Sequence, residues 1–168
     1  MNINLIVAVC NGMGMGLNNS IPWYYPSDLK YFSKLTKGSG NNSIIMGRKT
    51  WESLPKRPLP KRENIILSRN ISDITLEHDE LYFDSLEGAI DHCKEKKRDE
   101  IWIIGGREIY SLALSSNIVN YIYITTIEEN FTCDIFFPEI PQGFKCISKN
   151  LEEVNDTKIT YRTYMKDQ

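Results

Sequence analysis

No stretch of this 168-residue chain approaches the apolar length that spans a bilayer, and the opening Met1-Asn2-Ile3-Asn4 carries no basic run. Neither a membrane span nor a secretory leader is expected, and a cytoplasmic location is. Charge of one sign is also missing: 20 basic side chains against 22 acidic ones leave a net charge of −2. That balance gives no case for a nucleic-acid partner. Cysteine is sparse. Cys10, Cys93, Cys133 and Cys146 are widely scattered, which suits reduced thiols and argues against a disulfide frame or a thiolate metal site. The chain holds neither GxGxxG nor GxxxxGK[ST], so neither standard phosphate loop is supported. Internal repeats, linkers and low-complexity tracts are absent too, and the length suits one domain over residues 1–168.

What is present is a set of short apolar runs. Ile3 to Val9, Ser43-Ile44-Ile45-Met46 closed by Gly47, Asn64 to Leu67, and Ile101 to Ile104 read as buried strands. Between them, helices are predicted from about Ser27 to Thr36, from Thr50 to Leu54, and around Leu86, Ala89, Ile90 and Cys93. Another opens at Gly105-Gly106 and carries Ile109, Tyr110, Ala113 and Leu114. Continuous apolar strands separated by helices imply an α/β fold with a largely parallel sheet covered on both faces. Tyr121 to Ile127, Phe144 to Ser148 and Lys158 to Met165 complete the strands. The last two are joined near Asn155-Asp156 and form an antiparallel edge. The Gly- and Asn-rich segment from Cys10 to Ile21 reads as a loop, mobile or folded tightly against something.

Trp23 and Asp28 stand out. Pro22 and Pro26 forbid a helix interior before residue 27, so Asp28 falls in a first helical turn. Tyr31, Phe32 and Leu35 lie three, four and seven residues on, which puts this carboxylate on the apolar face. An acid there asks for a partner that is polar, flat and nitrogen-rich.

Ligands of open α/β sheets lie beyond the carboxyl ends of the strands. Met46-Gly47-Arg48-Lys49-Thr50 and Leu67-Ser68-Arg69 make two such ends basic, and Ile104-Gly105-Gly106-Arg107 offers bare amides at a helix start. A dinucleotide with an extra phosphate satisfies all three, its 2′-phosphate near Arg48, Lys49, Ser68 and Arg69. Its bridging phosphates would lie near Thr50 and Gly105 to Arg107. This favours NADPH over NADH. Each signal alone has an ordinary reading, a turn for Gly-Gly and a solvated pair for Arg48-Lys49.

From residue 3 onward the chain resembles dihydrofolate reductase. The matching blocks include Ile6-Val7-Ala8-Val9, Met13-Gly14-Met15-Gly16, Ile21-Pro22-Trp23, and Asp28-Leu29 with Phe32. They continue through Ile45 to Leu54, Arg57-Pro58-Leu59-Pro60 with Arg62, Asn64 to Arg69, Ile103-Ile104-Gly105-Gly106, Tyr110, Tyr123-Ile124-Thr125, and Asp134 with Phe137-Pro138. The resemblance implies an eight-stranded, mostly parallel mixed sheet flanked by four main helices. It also implies reduction of 7,8-dihydrofolate to tetrahydrofolate by NADPH, and a monomer. Asp28, Trp23 and Thr125 would be the catalytic set. Substrate contacts would come from Ile6, Val7, Ala8, Asp28, Leu29, Phe32, Leu54, Leu59, Arg62, Ile104, Tyr110 and Thr125.

Cofactor contacts are implied for Ala8, Met15, Gly16, Leu17, Asn18 and Ile21, for Gly47 to Thr50, and for Leu67, Ser68 and Arg69. Ile104, Gly105, Gly106, Arg107, Glu108, Ile109 and Tyr110 complete that set. The segment Gly12 to Ile21 resembles a lid over the nicotinamide, and the family's cis Gly-Gly peptide would be Gly105–Gly106. Two departures stand out. Tyr24-Tyr25 replace a smaller residue and Leu common in bacterial members, and Arg107-Glu108 follow the glycine pair where a third glycine and then arginine are frequent there. The competing readings are a same-fold NADPH-dependent reductase of a pyrimidine and a catalytically idle binding homologue.

Overall fold

The structure, a computed structural model, describes residues 1–71 and 76–168. Eight strands form one sheet in the order β5-β4-β3-β6-β1-β7-β10-β9. They are β1 (Asn2–Cys10), β3 (Ser43–Gly47), β4 (Glu63–Leu67), β5 (Leu81–Phe83), β6 (Glu100–Gly105), β7 (Tyr121–Ile127), β9 (Phe144–Val154) and β10 (Thr157–Lys166). All pairings are parallel except those of β10 with β7 and β9. Two short strands, β2 (Gly14–Gly16) and β8 (Ile135–Phe136), pair separately. The helices are α1 (Pro26–Lys37), α2 (Arg48–Ser53), α3 (Leu86–Glu95) and α4 (Arg107–Ser115). This is a single-domain α/β fold with an antiparallel C-terminal edge, as expected.

Period-two alternation sorts the core onto two faces. Ile3, Leu5, Val7 and Val9 of β1 join Leu86, Ala89, Ile90 and Cys93 of α3 and Ala113 and Leu114 of α4. Ile6 faces the other way, with Ile44, Met46, Ile66 and Trp102, beneath Tyr31, Phe32 and Leu35 of α1. The central strands are apolar on both faces because helices cover both.

Several boundaries differ from expectation. The second helix begins at Arg48, not Thr50, because Gly47 is extended and acts as its N-cap. Strand β9 runs on to Val154 instead of ending at Ser148. Its polar second half is held extended by β10, through a turn in which Asn155 and Asp156 both have positive φ. Strands β5 and β8 were not expected, being three and two residues long. β9 is the outer edge, almost wholly exposed. Its register shifts around Ile147, so that Ser148 faces Thr163 but Cys146 faces Tyr164.

The strands β1 and β6 pair from Asn2 to Leu5 and then part. The chain leaves β1 through α1 toward β3 on one side, and leaves β6 through α4 toward β7 on the other. Their carboxyl ends therefore mark a topological switch point, where open α/β sheets bind ligands. No helix among the described residues is long and apolar enough to cross a membrane.

Candidate active site

One side chain bridges the switch point. Tyr110 of α4 is buried, and its hydroxyl donates to the carbonyls of Ile6, at 2.7 Å, and Ile104, at 2.9 Å. Tyr110 was expected among the ligand contacts; here it ties the two parting strands from the α3–α4 side. Burial pushes its hydroxyl far above the usual tyrosine range.

On the opposite face lies a cleft lined by Ala8, Ile21, Trp23, Tyr24, Tyr25, Asp28 and Leu29. Pro26 occupies the first position of α1 and Asp28 its first turn, where a negative charge suits the helix dipole. Asp28 is half-buried, and among the described residues it meets no basic group within ion-pair distance. Burial holds its carboxyl above the usual range; Thr125 works against that shift and the charge of Glu152 adds to it. Thr125 pairs with Ala8 across β7 and β1, so both side chains face this cleft. Trp23 packs its ring 5.4 Å from that of Phe131.

The other expected substrate residues fall around this cleft in part. Phe32, Leu54, Leu59 and Ile104 pack half-buried on the Ile6 cluster, and Leu29 is exposed at the mouth. Val7 points to the α3–α4 side, away from the cleft. Arg62 is half-buried; its Nη1 donates to Thr36 Oγ1 at 3.0 Å and its Nε to the Pro60 carbonyl at 2.9 Å. Thr36 in turn donates to the Phe32 carbonyl, which locks the guanidinium against α1. Tyr24 and Tyr25 line the cleft without having been assigned a role. Their signal was the aromatic run bracketed by Pro22 and Pro26.

The expected phosphate residues gather at the ends of β3, β4 and β6. The Gly105–Gly106 peptide is cis and Gly105 has φ +133°. A Cβ on Gly105 would lie 3.4 Å from both Thr50 Oγ1 and Tyr110 Oη, and one on Gly106 would lie 3.5 Å from Thr50 Oγ1. This bare backbone leads into α4, whose N-cap Gly106 supplies no side-chain cap, and the first amides have no partner among the described residues. Ile109 packs beneath Gly47, where a Cβ would come within 3.2 Å of it. Lys49 and Arg69 are exposed, and Arg48 pairs with Glu52 at 2.9 Å on the surface. Leu67 is buried, and the Ser68 amide is already paired with Phe83. Arg107 reaches away from the helix start and donates to the Phe136 carbonyl at 2.6 Å, while Glu108 is exposed. Uncapped amides, a glycine cradle and flanking cations fit a dinucleotide carrying an extra phosphate.

The Cys10–Ile21 segment is folded tightly. After a 3-10 turn at Asn11–Met13, β2 pairs with β8, and Leu17 and Ser20 close a turn over Asn18 and Asn19, both at positive φ. Residues 129–137 brace it. Asn11 N donates to the Glu129 carbonyl at 3.0 Å, Asp134 N to Gly16 at 2.9 Å, and Phe137 N to Met13 at 2.9 Å. Asn18 N donates to Asp134 Oδ2 at 3.0 Å. Gly14 has no room for a side chain, since a Cβ would lie 2.5 Å from Cys133 Sγ. Met15 and Leu17 are half-buried, with Gly16 buried between them.

A family model described as dihydrofolate reductase matches residues 2–166. The dihydrofolate reductase of Drosophila melanogaster is 38% identical, the match covering 99% of this chain and 98% of its own length. That of Aedes albopictus is 39% identical, covering 97% and 96%. A dihydrofolate reductase of Buchnera aphidicola (strain APS) is 43% identical over 139 residues, or 83% and 80% of the two chains. With the family model spanning almost every residue and relatives matched nearly end to end, the chain belongs to the dihydrofolate reductase family.

Proposed function

We propose that this protein reduces 7,8-dihydrofolate to 5,6,7,8-tetrahydrofolate, with hydride addition at pterin C6 and protonation at N5. Family membership supports, in general terms, an NADPH-dependent reductase of a pterin or folate. The observation that carries the finer reading is Asp28, a half-buried carboxylate without a cationic partner among the described residues, at the mouth of an apolar cleft. A desolvated acid of this kind is satisfied by two parallel N–H donors, as the 2-amino group and N3 of a pterin present. Asp28 then orients and polarises the ring, Thr125 supports the carboxylate, and Trp23 closes the cleft beside it. Leu54 and Leu59 contact the benzoyl group and Arg62 the glutamate α-carboxylate.

When bound, reduced NADPH supplies the hydride. Gly105, Gly106 and Thr50 would hold its bridging phosphates, and Arg48, Lys49, Ser68 and Arg69 the 2′-phosphate. The segment from Met13 to Ile21 would control the access of solvent to the rings, and solvent would deliver the N5 proton.

The test is oxidation of NADPH by the purified protein with and without dihydrofolate, with NADH run beside it. Dihydrofolate-dependent oxidation that strongly prefers NADPH is expected. A folded protein that binds NADPH yet leaves dihydrofolate unreduced would overturn the reading.

A further inference from the structure

The wall behind Asp28 contains a second acid. Thr125 lies opposite Tyr161 on β10, and Tyr161 is two residues from Ile159, which lies opposite Glu152 on β9. Residues opposite each other, or two apart, share a face of a sheet. Ala8, Thr125, Tyr161 and Glu152 therefore form a row running outward from the cleft floor to the sheet edge. Asp28 stands above its inner end. Tyr31, one turn along α1, stacks on Tyr161 with ring centroids 4.5 Å apart. The Tyr161 hydroxyl donates to Glu152 Oε2 at 2.9 Å, which fixes the carboxylate and keeps it half-buried rather than free in solvent. Beside Tyr161 lies the buried Ser27 hydroxyl, adjacent to Asp28 in sequence.

We propose that Glu152, held by Tyr161, is a positioning residue whose negative charge makes Asp28 take up a proton more readily. The role in turnover rests on reading Asp28 as the pterin carboxylate. A like charge fixed behind an acid disfavours its ionised form, and a half-buried charge is screened less than an exposed one.

Tyr24 and Tyr25, neither a carboxylate nor a cation, line the same cleft as Asp28. On its own helix the titratable neighbour is Tyr31, and on β10 it is Tyr161. Both hydroxyls are pushed up to about 12, chiefly by burial, so both stay neutral over the working range. Strands β1 and β7 contribute Ala8 and Thr125, which carry no charge. Strand β9 contributes Glu152, a carboxylate held by Tyr161 at the outer end of the row.

The experiment follows the Asp28 carboxyl carbon by NMR in ligand-free protein labelled with carbon-13 aspartate, its signal assigned by loss in D28N. Glu152→Gln keeps an acceptor for Tyr161 but removes the charge, and Glu152→Asp restores the charge. The Asp28 midpoint is expected to move to lower pH in E152Q and to return toward wild type in E152D, with the pH midpoint of dihydrofolate turnover moving the same way. An E152Q midpoint coincident with wild type overturns the proposal, even if activity falls, because a purely structural role would lower activity without moving the titration. If wild type itself fails to reduce dihydrofolate, the functional reading falls, and the carboxyl titration alone decides whether Glu152 governs Asp28.

Discussion

Replacing Tyr110 with Phe removes one oxygen and keeps the ring that packs at 5.3 Å against Phe137. What is lost is the proton shared between the Ile6 and Ile104 carbonyls, at 2.7 Å and 2.9 Å. A net hydrogen bond is worth about 0.5–1.5 kcal/mol, and a buried polar group left unsatisfied costs about 1–3 kcal/mol. The Ile6 carbonyl accepts this bond in a buried position, so the cost falls near the middle of that range, about 2 kcal/mol. With an m-value of about 2 kcal/mol/M, the urea midpoint falls by about 1 M while the slope stays the same. Equilibrium unfolding followed by tryptophan fluorescence reads both quantities. A midpoint within about 0.2 M of wild type would refute the tie between the strands. A changed slope would point instead to a denatured-state effect.

Three further outcomes follow from the site and its surroundings. Asp28 has a raised folded value, so its contribution to stability is present below the unfolded carboxylate range and is lost as pH rises through the folded value. Asp28→Asn should therefore raise the urea midpoint at pH 7, with the gain vanishing in acid, while turnover falls; a lowered midpoint at pH 7 would contradict the burial argument. Glu63 is the opposite case: burial opposes its carboxylate, but Ser43, His92 and Arg98 hold it below the usual range. Its stabilisation is present at neutral pH and lost as pH falls through the folded value, so Glu63→Gln should cost about 1–3 kcal/mol at pH 7. That deficit closes in acid, and one independent of pH would rule out the ionic account. Arg62→Ala should weaken dihydrofolate and glutamate-tailed antifolates by about 10–100-fold and spare small diaminopyrimidines. Equal weakening of both in inhibition assays would remove Arg62 from the tail site.

The apolar runs of β1, β3 and β6 were legible because strands buried on both faces cannot alternate with polar residues. Asp28 was legible for the converse reason, a charge on the face of α1 that also carries Tyr31, Phe32 and Leu35. The second half of β9 was not. Lys149, Asn150, Glu152 and Glu153 have no strand pattern of their own and are extended only because β10 pairs with them. Glu152 and Tyr161 were invisible as a pair for the same reason, since their meeting depends on register. Tyr110 showed its helical spacing but not the destination of its hydroxyl, because the Ile6 carbonyl it reaches belongs to a strand 104 residues away in sequence. The fold of the Cys10–Ile21 segment depends likewise on residues 129–137.

β9 leaves the sheet with an open side. Its outward N–H and C=O groups are a template on which another extended chain would assemble, and Ile147 and Leu151 add exposed apolar surface. The register shift around Ile147 breaks the regular spacing of that template. Lys145 and Lys149, both exposed on either side of it, bring like charges together when two identical edges approach. Two lysines and a misfit of one residue thus blunt this edge, at the rim opposite the short β5.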